Sequence, residues 1–528
     1  MNIIKYFFLT KQLKKTFSIK KEKSKNIVLF EYFNYYPSLI PFAYFAKALS
    51  LKFDAQFYSY NPRVLTFFKR ITFFFNYKFS FFGRYFSALG IRDIIVINKI
   101  NKKKTDLIYK KIVKKLKTKK DVLNIELFGV KIGSDLYDQY LRDNNKTEVD
   151  IYCEKFSKCI FEAIQIVLYW EDLFKKKNIK ALIISHTSYF MALPSKIAIK
   201  YKIPVFCVAP QSFSTIKKNF LSKHSNCRIF SKSFRKLQVS KSKYLLQAKK
   251  KIYSRFKGKL DEKLLIDQKT ETKLFSNKKT TAKIINNNKQ KNILVVAHCF
   301  SDAVHVYGDF CYVDFHDWLI FIGSLTKYEN CNFYIRIHPA DYTRNYEHFL
   351  HFKKIFPKLI ILSKDVTVNQ LIEEKFDLVL TIYGSVGHEY PLFGTPVINA
   401  SNNGPHCSYS FNVNPKNKSQ YEKLLKKFCE NKITNFKLKN VKKEIYEFYF
   451  MRYMSSYFLL DNWARAIEIL GDKYNSPEII NYFLDNYNHK SHNQKIKDIS
   501  YFVKKKPIGL IVDNNTGISN IIGKLQER

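Results

Sequence analysis

The chain has 528 residues, of which 46% are hydrophobic and 26% are charged, and these proportions are typical of a globular protein. At about 100–200 residues per domain, this length predicts two or three domains. No uninterrupted apolar run of about 18 residues occurs, which argues against a transmembrane helix.

The large excess of basic residues, 91 Lys and Arg against 44 Asp and Glu, has three interpretations. It reflects a compositional bias at solvated positions, attraction to an anionic membrane surface or ligand, or nucleic-acid binding. Nucleic acid is the least favoured, because the basic residues are scattered and no RNP, zinc-finger or helix-turn-helix motif accompanies them. Nine dispersed cysteines without a CxxC pair predict reduced thiols in a cytoplasmic protein. The apolar start, residues 1–10, is too short for a signal peptide.

Strand and helix patterns alternate along the first half of the chain. Residues 26–31 form the first predicted strand, and a polar turn and a helix over residues 38–51 follow it. This alternation predicts an α/β fold with a mostly parallel sheet. Further strands are predicted at residues 53–58, 93–98, 180–185 and 203–209, and a polar loop at residues 134–150.

An aromatic and basic stretch over residues 62–85 interrupts this alternation. One interpretation is a pair of core helices. The other is an amphipathic surface that faces a membrane or an acceptor.

The second half begins after a polar, Lys- and Asn-rich segment that reads as a linker. The predicted organisation is therefore an N-terminal domain over residues 1–234, a linker region over 235–291, a C-terminal domain over 292–474, and a tail of unknown role over 475–528. Strands of the C-terminal domain are predicted at residues 292–297, 331–337, 359–362, 377–381 and 395–399.

A polar turn follows the predicted strand at residues 331–337. His338 precedes Pro339, which restricts the backbone of both residues and so holds the imidazole in one direction. An imidazole there can donate to a phosphate or a ribose hydroxyl. Arg336, on the same side of the strand, can help to offset the charge of a leaving phosphate. The structural alternative is a histidine at a strand end followed by a turn proline.

A second polar turn follows the strand at residues 377–381. Gly384 and Gly387 allow close backbone approach, and Ser385 can cap the next helix and bind a phosphate. Glu389, one helical turn later, can accept hydrogen bonds from ribose hydroxyls. The structural alternative is a capped helix with a surface glutamate. Because ligands bind beyond the carboxyl ends of parallel strands, the two turns together favour a nucleotide-sugar pocket.

A third group of polar residues, His298, Asp302 and His305, follows the first strand of the C-terminal domain. They are interpreted as polar loop residues lining a cleft, as contacts to donor or acceptor, or as metal ligands. Nothing in their spacing fixes a metal geometry, so no metal is predicted.

Residues 291–400, with His338-Pro339, Ser385 and Glu389, resemble the C-terminal domain of bacterial capsule and surface-polysaccharide glycosyltransferases. That group includes capsular Kdo transferases and sialyltransferases with a His-Pro motif. The opening of this domain, residues 297–305, and more weakly residues 185–188 and 203–205, are similar as well. The resemblance implies a GT-B fold, with two Rossmann-like domains and mostly parallel sheets facing a cleft. It also implies that the His-Pro turn and the Ser and Glu of the second turn bind a donor nucleotide, often CMP.

The resemblance implies an enzyme, an inverting and metal-independent glycosyltransferase without a cofactor. It would transfer a sugar from a nucleotide-sugar donor to a growing surface polysaccharide or lipid-linked glycan. An inverting transfer needs a general base, for which Glu31 and His186 at strand ends of the first domain are the alternatives. The expected location is cytoplasmic, or peripheral on the inner face of the cytoplasmic membrane through basic patches, without nucleic acid. The other functions considered are a sugar-nucleotide epimerase or polyol-phosphate transferase of the same fold, and a non-enzymatic nucleic-acid-binding protein.

Overall fold

The structure, a computed structural model, describes residues 3–17, 19, 24–91, 93–97, 101–210, 212–219, 221–237, 241–259, 275, 283–285, 289–308, 310–338, 342–436, 438, 440–455, 459 and 463–506. Residue contacts divide the chain into two compact units, each with its own parallel or mostly parallel sheet. Unit 1 comprises Met1–Tyr137, Ile151–Lys223 and Ser455–Arg528, and unit 2 comprises Asp138–Asp150 and His224–Met454. The prediction of an α/β fold is confirmed. The arrangement of two domains around a cleft stays a prediction.

The main sheet of unit 1 has the strand order β3-β2-β1-β6-β7-β8 in the described residues. All neighbouring pairs are parallel except β7 and β8, which are antiparallel. Because β1 lies between β2 and β6, the direction of winding reverses between β1 and β6. The strands are β1 Ile27–Glu31, β2 Gln56–Val64, β3 Asp93–Ile97, β6 Ile179–Ile184, β7 Val205–Ala209 and β8 Ser212–Ile216, and a small hairpin consists of β4 Glu126–Leu127 and β5 Val130–Lys131.

Apolar faces of helices bury the sheet of unit 1. Phe42 of one helix contacts Phe30 of β1, and Trp170 of another lies edge-on to Tyr60 of β2 at 4.9 Å. The helices are α1 Ile3–Phe17, α2 Leu39–Lys52, α3 Phe67–Phe79, α4 Phe81–Ala88, α5 Lys102–Val113, α6 Lys119–Leu123, α7 Gly133–Asn144 (which unit 2 shares), α8 Glu154–Lys176 and α9 Leu193–Lys200.

The sheet of unit 2 has the order β11-β10-β9-β12-β13, and all its described pairs are parallel. The winding reverses between β9 and β12, so this unit also has a topological switch point at the carboxyl ends of two central strands. The strands are β9 Lys291–Val296, β10 Cys331–Arg336, β11 Ile360–Ile361, β12 Leu378–Thr381 and β13 Val397–Asn399. The helices are α10 Phe230–Arg235, α11 Lys241–Phe256, α12 Phe315–Ser324, α13 Tyr342–Ile355, α14 Val368–Glu373, α15 Val386–Glu389, α16 Lys418–Cys429 and α17 Val441–Tyr449, followed by a π-helical turn, Phe450–Met454.

The C-terminal segment returns to unit 1 as helices α18 Trp463–Leu470, α19 Glu478–Asp485 and α20 His489–Lys505. Phe502 of α20 contacts Phe45 of α2 and Phe213 of β8, so this segment completes the core of unit 1. The sequence predicted a polar tail because basic and amide residues separate the few apolar positions of α20.

Two other segments differ from their predicted structures. The loop predicted at residues 134–150 is wrong over α7, where the buried residues Leu136, Tyr137, Tyr140 and Leu141 share one helical face. The segment predicted as a linker contains α11 of unit 2, which buries Tyr244, Ala248 and Ile252. Near its end, Ile285 joins the core of unit 2, and the backbone N–H groups of Ile284 and Ile285 donate to Glu374.

Residues 62–85 contain the end of β2, all of α3 and most of α4, and each interpretation describes one of the two helices. Phe82, Tyr85 and Phe86 of α4 are buried, as in a core helix. In α3 only Tyr77 is buried, and the helix exposes several phenylalanines. Among the described residues, no helix is both long and apolar enough to cross a membrane.

Candidate functional site

The switch point of unit 2 is occupied by a hydrogen-bonded group at the carboxyl ends of β9 and β12. The backbone N–H of Tyr383 donates to Nε2 of His298 at 3.1 Å, and the Thr381 hydroxyl lies 3.3 Å from the same nitrogen. Since Nε2 accepts, the proton of the neutral imidazole is on Nδ1. The Thr381 hydroxyl also accepts from the backbone N–H of Gly384 at 3.2 Å. These hydrogen bonds link the segments that follow the neighbouring strands β9 and β12, at the edge of the sheet where a ligand is expected.

His298 is a neutral imidazole at physiological pH. Burial, with a further contribution from His338 nearby, lowers its pKa to about 3. Three aromatic rings flank this group and shield it from water. The ring centroid of Tyr383 lies 4.8 Å from that of Tyr307, and the ring centroid of Phe315 lies 5.3 Å from that of His298.

The second turn contains a buried ion pair. Oε1 of Glu389 lies 3.3 Å from Nη2 of Arg255, and both side chains are almost fully buried. Glu389 is therefore neither a surface residue nor exposed at the end of its helix. Arg255 comes from α11, and its guanidinium also lies over the ring of Phe275 at 4.7 Å.

A second buried guanidinium lies near the same carboxylate. Arg336, the last residue of β10, is buried, and burial lowers the pKa of its guanidinium below the usual range. Tyr390 and Glu389 lie close enough to oppose that shift. Nη1 of Arg336 is buried without a hydrogen-bond partner among the described residues. Glu389 is thus paired with the Arg255 guanidinium and lies close enough to the Arg336 guanidinium to affect its titration.

The two glycines of this turn are explained by packing within the chain. A Cβ on Gly387 would lie 2.5 Å from the ring of His406, and a Cβ on Gly384 would lie 2.8 Å from the Thr381 hydroxyl. These contacts account for both glycines without a ligand. Ser385 precedes α15 but makes no capping hydrogen bond with its side chain, and it is half-buried.

His388, the residue before Glu389, is part of a buried polar cluster. Its Nδ1 lies 3.2 Å from Nε2 of His406. Burial lowers the pKa of His388, and His406, Arg255 and Arg452 nearby lower it further. Burial, together with Arg452, also lowers the pKa of His406 to about 3. Positively charged groups therefore surround α15 on several sides.

Of the predicted His-Pro turn, the structure describes His338 and not Pro339. His338 is half-buried just beyond the end of β10 and is close enough to His298 to affect its titration. The structure therefore places Arg336, His338, His298 and Glu389 at one edge of the sheet.

The structure gives His305 and Asp302 other surroundings. Asp302 is exposed and lies 3.8 Å from Arg142. His305 is buried, and its backbone N–H donates to the Asp138 carboxylate. Its Nδ1 lies 2.7 Å from the same carboxylate, and its Nε2 lies 2.9 Å from the Val313 carbonyl oxygen. Burial opposes the charged imidazole, but Asp138 and these hydrogen bonds outweigh it and raise the pKa of His305. His305 thus fastens α7 to the loop after β9.

A cluster with metal-binding spacing occurs elsewhere in the described residues, and it contains none of the three predicted loop residues. Glu148, His316 and Asp317 bring their ligand atoms within 4.8 Å of one another. Glu148 is exposed, and such acidic groups are common without an ion, so we assign no metal to it.

In unit 1, the two alternatives for the general base are joined by one residue. At the switch point between β1 and β6, Ser185 donates to the buried Glu31 carboxylate from its backbone N–H at 2.5 Å and from its hydroxyl at 2.8 Å. Nδ1 of His186 lies 2.7 Å from the same hydroxyl. Because that hydroxyl donates to Glu31, Nδ1 donates to it, which leaves Nε2 as the unprotonated nitrogen of a neutral His186.

Four residues of these sites were not predicted: Arg255, Thr381, Asp138 and Ser185. Arg255 lay in a segment interpreted as linker, and Asp138 in one interpreted as loop. The helical spacing of Tyr244, Ala248 and Ile252 was the signal that would have revealed α11.

Comparison with known proteins gives remote structural likenesses. No family profile and no curated protein sequence matches the chain. The Kdo transferase KpsC of Thermosulfurimonas dismutans shares 12% identity over 51% of this chain and 79% of its own, with a TM-score of 0.33. UDP-GlcNAc 2-epimerases of Neisseria meningitidis (11% identity, 87% and 100% covered, TM-score 0.22) and Methanocaldococcus jannaschii (15%, 79% and 97%, 0.22) are also similar. Likenesses this remote carry no argument about function.

Proposed function

We propose that this chain is a glycosyltransferase that moves a sugar from a nucleotide-sugar donor, with CMP-linked donors included, to a surface polysaccharide or lipid-linked glycan. The observation that carries the proposal is the buried cluster of Arg255, Arg336 and Glu389 at the carboxyl ends of the strands of unit 2.

The charges of this cluster do not balance. Two guanidinium groups and one carboxylate leave a net positive charge in a buried place, and an uncompensated buried charge costs several kcal/mol. An anionic ligand would remove that cost. Arg336 offers Nη1 for this purpose, and a guanidinium matches the geometry of phosphate oxygens. The phosphate groups of a nucleotide sugar are the anion that we assign here.

The remaining residues at this edge suit the other parts of a nucleotide. Neutral His298 and half-buried His338 supply hydrogen-bond groups for a phosphate or a ribose, and Ser385 supplies a hydroxyl. A leaving phosphate offset by arginine side chains needs no metal ion and no cofactor.

For the acceptor, we assign His186 as the general base, with Ser185 and Glu31 as positioning residues. Nε2 of a neutral His186 accepts the proton of the acceptor hydroxyl as the bond to the sugar forms with inversion. The buried Glu31 carboxylate, acting through the Ser185 hydroxyl, stabilises the imidazolium that results. A lipid-linked acceptor places the enzyme at the inner face of the cytoplasmic membrane, without a nucleic-acid partner.

Calorimetric titration with CMP, CDP and UDP tests the donor site. Arg336→Gln should weaken the nucleotide that binds by about tenfold or more, because a hydrogen bond to a charged group contributes about 1.5–3 kcal/mol. Arg142→Gln, which removes an exposed arginine of the same unit, is the matched control and should bind as the unmodified chain does. Equal affinity in both variants, or no binding of any nucleotide, would refute the proposed site.

Product analysis with nucleotide sugars then tests the reaction. A glycosyltransferase releases free nucleotide in proportion to sugar transferred to an added glycan. If the donor is converted into its epimer without an acceptor, the chain is an epimerase and the proposed reaction is refuted. If nucleotide is released only together with a polyol-phosphate product, the chain is a polyol-phosphate transferase.

A further inference from the structure

Three helices of unit 1 expose apolar side chains that no part of the proposed site uses. α1 packs on α4 through Tyr6, whose ring lies 4.6 Å from Phe81 and 5.2 Å from Tyr85. α3 directly precedes α4 in the chain. The exposed apolar side chains of these helices, here called the aromatic surface, are Ile4, Phe7, Phe8, Phe67, Phe68, Ile71, Phe75, Phe79 and Phe81.

The exposed residues of α3 follow helical spacing. Phe68, Ile71, Phe75 and Phe79 recur every three or four residues, which places them along one face of the helix. The opposite face carries Tyr77, which is buried and lies 5.2 Å from the ring of Tyr32. The orientation of α3 is therefore fixed by packing on the body of unit 1, and its apolar stripe points away from it. Phe68 is 80% exposed.

The charged side chains within the segments that carry these helices are basic. Neither residues 3–17 nor residues 55–92 contain an Asp or Glu. These two segments carry Lys5, Lys11, Lys14, Lys15, Arg63, Lys69, Arg70, Lys78, Arg84 and Arg92. Lys5, Lys11, Lys69 and Lys78 are exposed beside the apolar residues. A set of exposed apolar side chains of this size marks an interaction site, and the basic residues of the same segments select an anionic partner.

We propose that the aromatic surface binds the headgroup and acyl boundary of an anionic lipid bilayer. Phenylalanines and isoleucines enter the boundary while lysines and arginines contact the lipid phosphates, which is the mode of interfacial amphipathic helices. This inference rests on the peripheral membrane position proposed above and names the part of the chain that would contact the membrane. It does not depend on the donor site.

Two observations favour a bilayer over single-stranded nucleic acid, which also binds basic and aromatic surfaces. Ile4 and Ile71 have no π face for a base to stack on. Phe75 and Phe79 stack on each other, with ring centroids 5.6 Å apart and planes at 28°, so these faces are directed at each other. Acyl chains make no such demand on ring orientation.

Vesicle co-sedimentation of the full chain tests the inference. The chain should bind vesicles of phosphatidylcholine mixed with phosphatidylglycerol much more strongly than phosphatidylcholine alone, and added salt should weaken binding. The double variant Phe68→Ser/Phe75→Ser should reduce binding to the mixed vesicles by about tenfold or more. Tyr152→Ser, at an aromatic residue that is 83% exposed elsewhere in unit 1, is the control and should bind normally.

A second pair of variants tests the charge. Lys69→Gln/Lys78→Gln should weaken binding to the mixed vesicles by about tenfold or more. Lys114→Gln/Lys115→Gln removes the same charge just beyond the end of α5 and should change binding much less. Both pairs are exposed, so the variants should fold normally. Equal binding to neutral and anionic vesicles, unchanged binding in the phenylalanine variant, or displacement from vesicles by single-stranded RNA would overturn the inference. Nucleotide titration of the same variants shows separately whether the donor site is present.

Discussion

Ser185 holds the Glu31 carboxylate with two hydrogen bonds, one from its backbone N–H and one from its hydroxyl. Glu31 ends β1 and Ser185 follows β6, so the pair spans the switch point of unit 1. Considered separately, Glu31 and His186 were competing bases. With Ser185 between them, they form one chain in which Glu31 orients the imidazole. The arrangement is analogous to the pairing of His298 with Thr381 in unit 2.

Ser185→Ala should lower the free energy of unfolding by about 1.5–3 kcal/mol, because the buried carboxylate loses one of its donors. Urea denaturation of the purified chain measures this. The control is Ser188→Ala, at a half-buried serine whose side chain does not cap the adjacent helical turn, and it should stay within about 0.5 kcal/mol. If both variants have the same stability, the hydroxyl is not a significant donor to Glu31.

Glu389→Gln should destabilise the chain by about 3–5 kcal/mol, because it leaves buried guanidinium groups without their carboxylate. Asp172→Asn removes a carboxylate from an exposed ion pair with Lys176 and should leave stability unchanged. Adding Arg255→Met to the first variant should restore part of the loss in a double-mutant cycle. Independent, additive effects would contradict a direct Arg255–Glu389 pair.

Gly387→Ala should destabilise the chain by about 1–3 kcal/mol, because its Cβ would collide with the His406 ring at 2.5 Å. Gly404→Ala is the matched control, since a Cβ there would meet its nearest neighbours at 3.4 Å. Thermal unfolding should show a lower Tm for the first variant and a Tm near that of the unmodified chain for the second. The reverse order would mean that the packing around α15 differs from that described here.

His305 should make stability decline as pH rises above about 6.5. Its pKa is raised in the folded chain, so its contribution is fully present below the pKa of about 6.5 of an unfolded histidine. The contribution is lost as pH rises through the higher folded pKa. His305→Gln should remove this part of the pH dependence of the urea midpoint, whereas His351→Gln, at an exposed histidine, should retain it. An unchanged profile in His305→Gln would show that the pair with Asp138 is not charged.

The buried neutral histidines should have the opposite effect in acid. The folded pKa values of His298 and His406 are about 3, so the unfolded chain takes up protons as pH falls from about 6.5 and the folded chain does not. Stability that is present above pH of about 6.5 is therefore lost between there and about pH 3. His406→Gln should show a smaller loss over this window in urea titrations at successive pH values. A loss as large as that of the unmodified chain would place His406 in contact with water.

Local patterns in the amino-acid sequence are enough to predict the α/β class and the strands that carry the candidate site. Buried strands such as residues 180–185 and 377–381 are short apolar runs followed by polar turns, and that pattern is local, so it is readable without a partner. The same pattern brought His338 and Glu389 to one edge of one sheet. It also offered, as one of two interpretations, the exposed aromatic face of α3.

The pairing of charges and hydrogen-bond groups, by contrast, depends on the long-range packing of the folded chain. Arg255 reaches Glu389 from a helix 134 positions earlier, and Glu31 bonds a serine 154 residues away. Contacts at such separations depend on how strands and helices pack, which a linear pattern does not contain. Burial has the same origin: His298, His388 and His406 lose their ordinary titration because the folded chain excludes water from them, and nothing local in the sequence distinguishes them from an exposed histidine.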